Sequence, residues 1–163
     1  LRCEAYGTID EAVSALGLAR SLLTDSELKR VLLQIQRELF MIGAELATDS
    51  SEYERLRMHF SVVTADMVRS LEEQIDWTSE SVTLPRAFIV PGASPASSAL
   101  DMARTIIRRG ERRVVELRES GLLVNGEVLR YLNRLADLLF ILARFQDRDL
   151  PTELVTGEEQ KET

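Results

Sequence analysis

Arg104-Thr105-Ile106-Ile107-Arg108-Arg109-Gly110-Glu111-Arg112-Arg113 places five arginines and one glutamate within ten residues of a chain whose formal charge is −7. At 100° per residue the stretch and its flanks divide into distinct faces. Ala99, Leu100, Ala103, Ile106, Ile107, Gly110, Val114 and Leu117 fall on one broad apolar arc. Arg104, Arg108, Glu111 and Arg112 share a separate arc of about 100°, and Arg109 and Arg113 lie further round. A long helix with so wide an apolar arc must bury it against other helices. Ser94-Pro95-Ala96 supplies its start, with proline tolerated in the first turn, and Ser120-Gly121 its end.

The same period recurs on both sides of this helix. After Val124-Asn125-Gly126 a further helix is predicted to about Arg148, apolar over most of its circumference through Leu129, Leu132, Leu135, Ala136, Leu138, Leu139, Leu142 and Ala143. A narrow strip of Arg130, Asn133, Arg134, Asp137 and Arg144 runs along it. Asn and Asp are indifferent helix formers, so their mid-helix placement calls for an explanation. Upstream, amphipathic patterns cover Thr8–Leu23, Ser26–Thr48 and Val63–Trp77. Thr8-Ile9-Asp10-Glu11 has the spacing of a capping box, with Asp10 favourably placed in a first turn, and Thr24-Asp25-Ser26 offers another cap. Asp49–Phe60 is polar and reads as a connection; Val82–Gly92 carries two prolines and a short β-like run, Phe88-Ile89-Val90. The pattern predicts an all-α, up-down bundle of five helices in one domain over residues 1–150, followed by a disordered Glu/Lys-rich tail over 151–163.

Composition removes several classes of function. At 163 residues one hydrophobic core suffices without metal or disulfide. Twenty Lys and Arg against 27 Asp and Glu argue against general binding to nucleic acid or to an anionic membrane, each of which needs a broad basic face. Cys3 is alone, His59 is the single histidine, and no apolar run is long enough to span a bilayer. The expectation is a soluble cytoplasmic protein without a transition-metal site of its own.

Two polar strips on neighbouring helices, Arg-Arg-Glu-Arg and Asn-Arg-Asp, can line one crevice. Arginine forks suit phosphate oxygens, and Asn or Asp can address a ribose or an adenine edge. Two readings stay open on the residues alone: a nucleotide polyphosphate site, or a salt-bridge network that only locks helices or subunits together.

Five blocks then raise a resemblance: Tyr6-Gly7-Thr8-Ile9-Asp10-Glu11, Phe88-Ile89-Val90-Pro91-Gly92, Ser97-Ser98-Ala99-Leu100, Arg104 through Val115, and Tyr131-Leu132-Asn133-Arg134-Leu135-Ala136-Asp137-Leu138-Leu139-Phe140. In order and spacing they resemble the signature blocks of the PduO-type ATP:cob(I)alamin adenosyltransferases, from Tyr6 to Arg148. The resemblance implies a ferritin-like five-helix bundle assembled as a homotrimer, with ATP, Mg²⁺ and cobalamin bound between subunits. It implies transfer of the 5′-deoxyadenosyl group of ATP to cob(I)alamin. Its implied partners are a corrinoid reductase and an enzyme that uses adenosylcobalamin.

Carried over by position, Arg108, Arg109, Glu111, Arg112, Asn133 and Arg134 match the family's ATP-binding set, with Arg108, Glu111 and Asn133 in the catalytic role. Phe88 and Asp137 match the corrinoid side, and Asp10 with Arg104 matches an inter-subunit salt bridge. The family's Thr-Gly-Asp-x-Gly loop, which wraps the triphosphate and helps hold Mg²⁺, has no counterpart before Tyr6; the expectation is either a chain shortened at its start or a loop that is not ordered, with the Mg²⁺ ligands in that segment. The competing expectations are a non-catalytic trimeric bundle and an ATP sensor that ignores cobalamin.

Overall fold

The computed structural model describes residues 1–155. They form six α-helices: α1 Arg2–Leu22, α2 Ser26–Ala47, α3 Tyr53–His59, α4 Ala65–Ser79, α5 Pro95–Glu119 and α6 Glu127–Gln146. The five long helices are those predicted from periodicity, and α3 with a preceding 3-10 turn, Ser50–Glu52, occupies the polar connection. Among the described residues the extended pairing amounts to one antiparallel bridge, Ile89 to Leu154.

Several helix ends follow local chemistry. The Asp25 carboxylate accepts from the Glu27 and Leu28 amides at 2.8 and 3.1 Å, and the Thr64 hydroxyl from Met67 at 3.4 Å. Ser94 and Ser97 form a reciprocal capping box at the head of α5, with Pro95 just inside. Each such cap contributes about 1 kcal/mol by satisfying amides that the helix leaves free. At the other end of α5, Gly121 adopts a φ of 70°, and Leu122 N–H returns to the Leu117 carbonyl at 2.9 Å. Only a residue without Cβ takes that turn at little cost.

The start of α1 departs from expectation. The helix begins at Arg2 rather than Thr8, and Thr8 is buried with its hydroxyl donating back to the Glu4 carbonyl at 2.7 Å. The unused capping box gives way to tertiary bonding. Arg2 donates to the carbonyls of Leu46 at 3.1 Å and Leu122 at 3.0 Å, and to Ser50 Oγ at 3.0 Å, so the first turn is held by its neighbours. Ala5, buried, extends the apolar stripe through that turn.

The end of the described chain also departs from expectation. Part of the segment expected to be disordered is placed: Val90 N–H donates to the Glu153 carbonyl at 2.8 Å, and Val155 N–H to the Phe88 carbonyl at 3.0 Å. The backbone of the 88–90 run would otherwise lack partners, and residues 153–155 supply them. The remainder of the predicted tail, 156–163, lies outside the described residues.

α1 packs against α2 and α5, and α6 against α5 and α4. Leu16, Leu32, Ile35, Leu39, Ile42, Leu100, Ile107 and Leu117 fill the interior, each contributing about 1.5–3 kcal/mol by leaving water. α1 and α5 approach closely at Gly110, where an added Cβ would lie 3.1 Å from Ile9 Cδ1. One polar cluster is sealed into the interior. Glu45, 5% exposed, accepts from the Tyr53 hydroxyl at 2.8 Å, the Val63 amide at 2.5 Å and Asn125 Nδ2 at 2.9 Å. Asn125 also accepts from the Glu127 amide at 3.1 Å, which sets the first turn of α6.

Candidate functional site

Burial of Ile107, Gly110 and Val114 turns the opposite side of α5 toward α6 and solvent. Arg108 and Glu111 stand there one turn apart, with Arg108 Nη1 2.6 Å from Glu111 Oε2. Glu111 uses its other oxygen across the helix boundary, accepting from Asn133 Nδ2 of α6 at 2.8 Å. Asn133 Oδ1 in turn accepts from Arg134 Nη2 at 2.8 Å, and Arg134 reaches Asp137 at 2.9 Å. Arg112 extends the rail, donating from Nη1 to the Arg108 carbonyl at 3.3 Å. The mid-helix placement of Asn133 is thereby explained, because its amide links the two polar strips predicted from the helical wheels.

The arrangement leaves donors in surplus. Glu111 is only 15% exposed on its side chain and both its oxygens are occupied, while Arg108 is about half exposed. Each arginine carries five N–H groups and uses only part of them here, so the outward ones suit an anion of several oxygens.

Not every predicted residue joins this group. Arg109 pairs with Glu11 of α1, and Arg113 with Glu116 at 3.1 Å and Glu4 at 4.0 Å. These are the two arginines that the wheel placed off the stripe. Asp10 is exposed on α1 and Arg104 bonds Asp101 at 3.4 Å, so within one chain the two do not pair. Phe88 is 85% exposed and takes no part in this hydrogen-bonded group.

Beside the rail lies a cavity of about 500 Å³. Arg104, Arg108 and Asp137 bring charge to its lining, and Ile75, Leu84, Phe140 and Ile141 bring apolar surface. The wall is thus amphipathic, suited to a large ligand with a flat apolar body and polar edges. Behind Arg104 sits Asp101, buried and bonded also to Arg144 of α6. Sequence reasoning missed Asp101. The available signal was an acidic residue on the arginine stripe of α5, three positions before Arg104.

The chain matches the cobalamin adenosyltransferase family model over residues 1–146. The corrinoid adenosyltransferase of Bacillus subtilis (strain 168) is 45% identical over 151 residues, 88% of this chain and 73% of that protein. The corrinoid adenosyltransferase PduO of Citrobacter freundii is 40% identical over 148 residues, 91% of this chain; the chain spans 43% of the length of that relative. Among solved structures, a variant PduO-type ATP:corrinoid adenosyltransferase from Lactobacillus reuteri complexed with cobalamin and ATP matches with a TM-score of 0.84 at 36% identity, covering 94% of this chain and 84% of the other. By sequence and by fold, the chain belongs to the cobalamin adenosyltransferase family.

Proposed function

We propose that the protein transfers the 5′-deoxyadenosyl group of ATP to the cobalt of cob(I)alamin, as a homotrimer with its sites between adjacent subunits. The observation that carries this reading is the Arg108–Glu111–Asn133 rail beside an amphipathic cavity. An anion-binding stripe next to an apolar wall offers a place for triphosphate and a place for a corrin ring within one site. The named relatives support it, since the Lactobacillus reuteri protein is a corrinoid adenosyltransferase complexed with both ligands.

In this reaction the cobalt(I) electron pair forms the Co–C bond at the ribose 5′ carbon. The C5′–O bond breaks with its electrons, triphosphate leaves, and the corrinoid becomes formally Co(III). The nucleophile belongs to the substrate, so the chain needs no catalytic Ser, Cys or Lys. Its work is placement and charge stabilisation.

Arg108 and Arg112 hold the triphosphate oxygens, and Arg108 stabilises the charge that grows on the leaving group. Arg109 reaches ATP only if it exchanges Glu11 for phosphate. Glu111 fixes Arg108 and Asn133 relative to one another, and Asn133 with Arg134 addresses the nucleoside. Asp137 and Phe88 belong to the corrinoid side. Phe88, uncovered in the single chain, occupies the lower axial face of the corrinoid and keeps the base off the cobalt. Asp10 of one copy pairs with Arg104 of the next.

Among the described residues no group of three or more His, Cys, Asp or Glu side chains is placed to hold a metal ion. By themselves these residues do not supply a full set of Mg²⁺ ligands. No helix among them is long and apolar enough to cross a membrane. The reading places the enzyme in the cytoplasm, receiving cob(I)alamin from a reductase and passing its product to an enzyme that uses adenosylcobalamin.

The test mixes full-length protein with ATP, Mg²⁺ and chemically reduced cobalamin and follows the corrinoid spectrum. Conversion to adenosylcobalamin is expected, with a trimer in sedimentation. No conversion near neutral pH sinks the reading.

A further inference from the structure

We infer that Asp101 is a positioning residue for the site: buried beneath the cavity wall, it holds the Arg104 guanidinium in place and acts on corrinoid binding through Arg104 alone. The inference rests on the adenosyl-transfer reading. Asp101 lies on the arginine stripe of α5 but is only 4% exposed, and a buried carboxylate is costly unless paired. Arg144 of α6 supplies that pairing. It is itself buried, bonds Asp101 Oδ2, and lies 5.3 Å above the Phe140 ring.

One buried arginine balances one buried carboxylate, so charge neutrality does not require Arg104. Arg104 nonetheless brings Nε to 3.4 Å from the other carboxylate oxygen. The triad carries one net positive charge, and the surplus lies on the Arg104 side, where the side chain is 31% exposed and lines the cavity with Arg108 and Asp137. Nε is the inner nitrogen of the guanidinium. Holding it orients the plane and leaves Nη1 and Nη2, which make no hydrogen bond among the described residues, for the cavity and for Asp10 of the adjacent copy. A long side chain fixed in advance loses less entropy when its outer fork is engaged. Through Arg144 the same carboxylate refers that fork to α6, which carries Asp137 and Phe140 of the same cavity.

A double-mutant cycle tests this in the full-length protein, with steady-state kinetics on ATP and cob(I)alamin and a melting curve for each variant. Asp101→Asn is expected to raise the corrinoid KM about tenfold, the size of one lost charge-assisted hydrogen bond. The ATP KM and kcat should stay within about twofold, because Arg108 and Glu111 are untouched. In an Arg104→Ala background the same Asp101→Asn change should add nothing to the corrinoid KM. Equal costs in both backgrounds, or an ATP KM that rises as much as the corrinoid KM, overturns the inference whatever the melting temperature does. If Asp101→Asn does not fold, Asp101→Glu, which keeps the charge but misplaces it, enters the same cycle with the same criteria. The unchanged protein separates the two levels. No turnover by it overturns the adenosyl-transfer reading and this inference together, whereas turnover with an additive cycle overturns only the role of Asp101.

Discussion

Two glutamates in this protein are each bonded by an asparagine, and their surroundings are opposite. Glu45 accepts from Asn125, Tyr53 and the Val63 amide and is almost wholly out of water. Glu111 accepts from Asn133 and Arg108, with the arginine half in solvent and a cavity alongside. The donors around Glu45 are directed inward, to Glu45 and the Val63 carbonyl, so the cluster closes on itself and ties α2 and α3 to the segments that lead into α4 and α6. Those around Glu111 face outward with donors to spare. The same pair of residue types thus makes a lock in one place and a ligand-facing rail in the other, and what separates them is the arginine.

The largest expected effect breaks the rail. Arg108→Ala should lower kcat roughly 100- to 1,000-fold, as removal of a preorganised donor does where charge develops, while the melting temperature moves little. Corrinoid spectra and a thermal melt check both halves, and full activity in this variant would remove Arg108 from the phosphate-facing role.

Breaking the lock should give the reverse. Glu45→Ala strands three donors, two of them buried, and should cost about 3 kcal/mol in urea denaturation, with turnover of the folded protein at low temperature unchanged within about twofold. Lost activity at undiminished stability would mean that the two clusters are not separate in function.

Alkaline pH sharpens the contrast from another side. Tyr131 is fully buried, and this burial, with the Glu38 carboxylate beside it, holds its phenol well above the usual tyrosine value of 10.0; burial and Glu45 raise Tyr53 in the same direction. The folded protein keeps these protons while the unfolded chain gives them up. Their contribution is therefore complete below about pH 10 and is lost as pH rises beyond it, by about 1.4 kcal/mol per pH unit for each tyrosine. Urea midpoints from about pH 8 to 11 should fall accordingly, and Tyr131→Phe should flatten the slope. An unchanged slope in that variant would count against Tyr131 as the source.

The smallest expected effect is a control on the scaffold. Asp25→Ala removes the α2 cap and should cost about 1 kcal/mol without touching either KM.

Periodicity carried most of the fold, because an apolar stripe at helical spacing is a local property that any core must accept. It also sorted the arginines correctly, setting Arg109 and Arg113 apart from the stripe before any partner was known. It misled at Thr8. A capping box is a local preference worth about 1 kcal/mol, and the three hydrogen bonds of Arg2 with the burial of Ala5 outweigh it. Asp101 was overlooked for the same reason in reverse: its neighbours in sequence are apolar, and its partner Arg144 lies on another helix.

The sequence by itself determined the number of long helices, their faces and the family, through spacings of three and four residues and the order of five blocks. Only the tertiary structure decided which charges meet. Glu111 with Asn133, Asp101 with Arg144, Glu45 with Asn125 and the 88–90 run with 153–155 all depend on how separate elements align. Which donor satisfies a polar group withdrawn from water is set by the register between helices, and no local pattern encodes it.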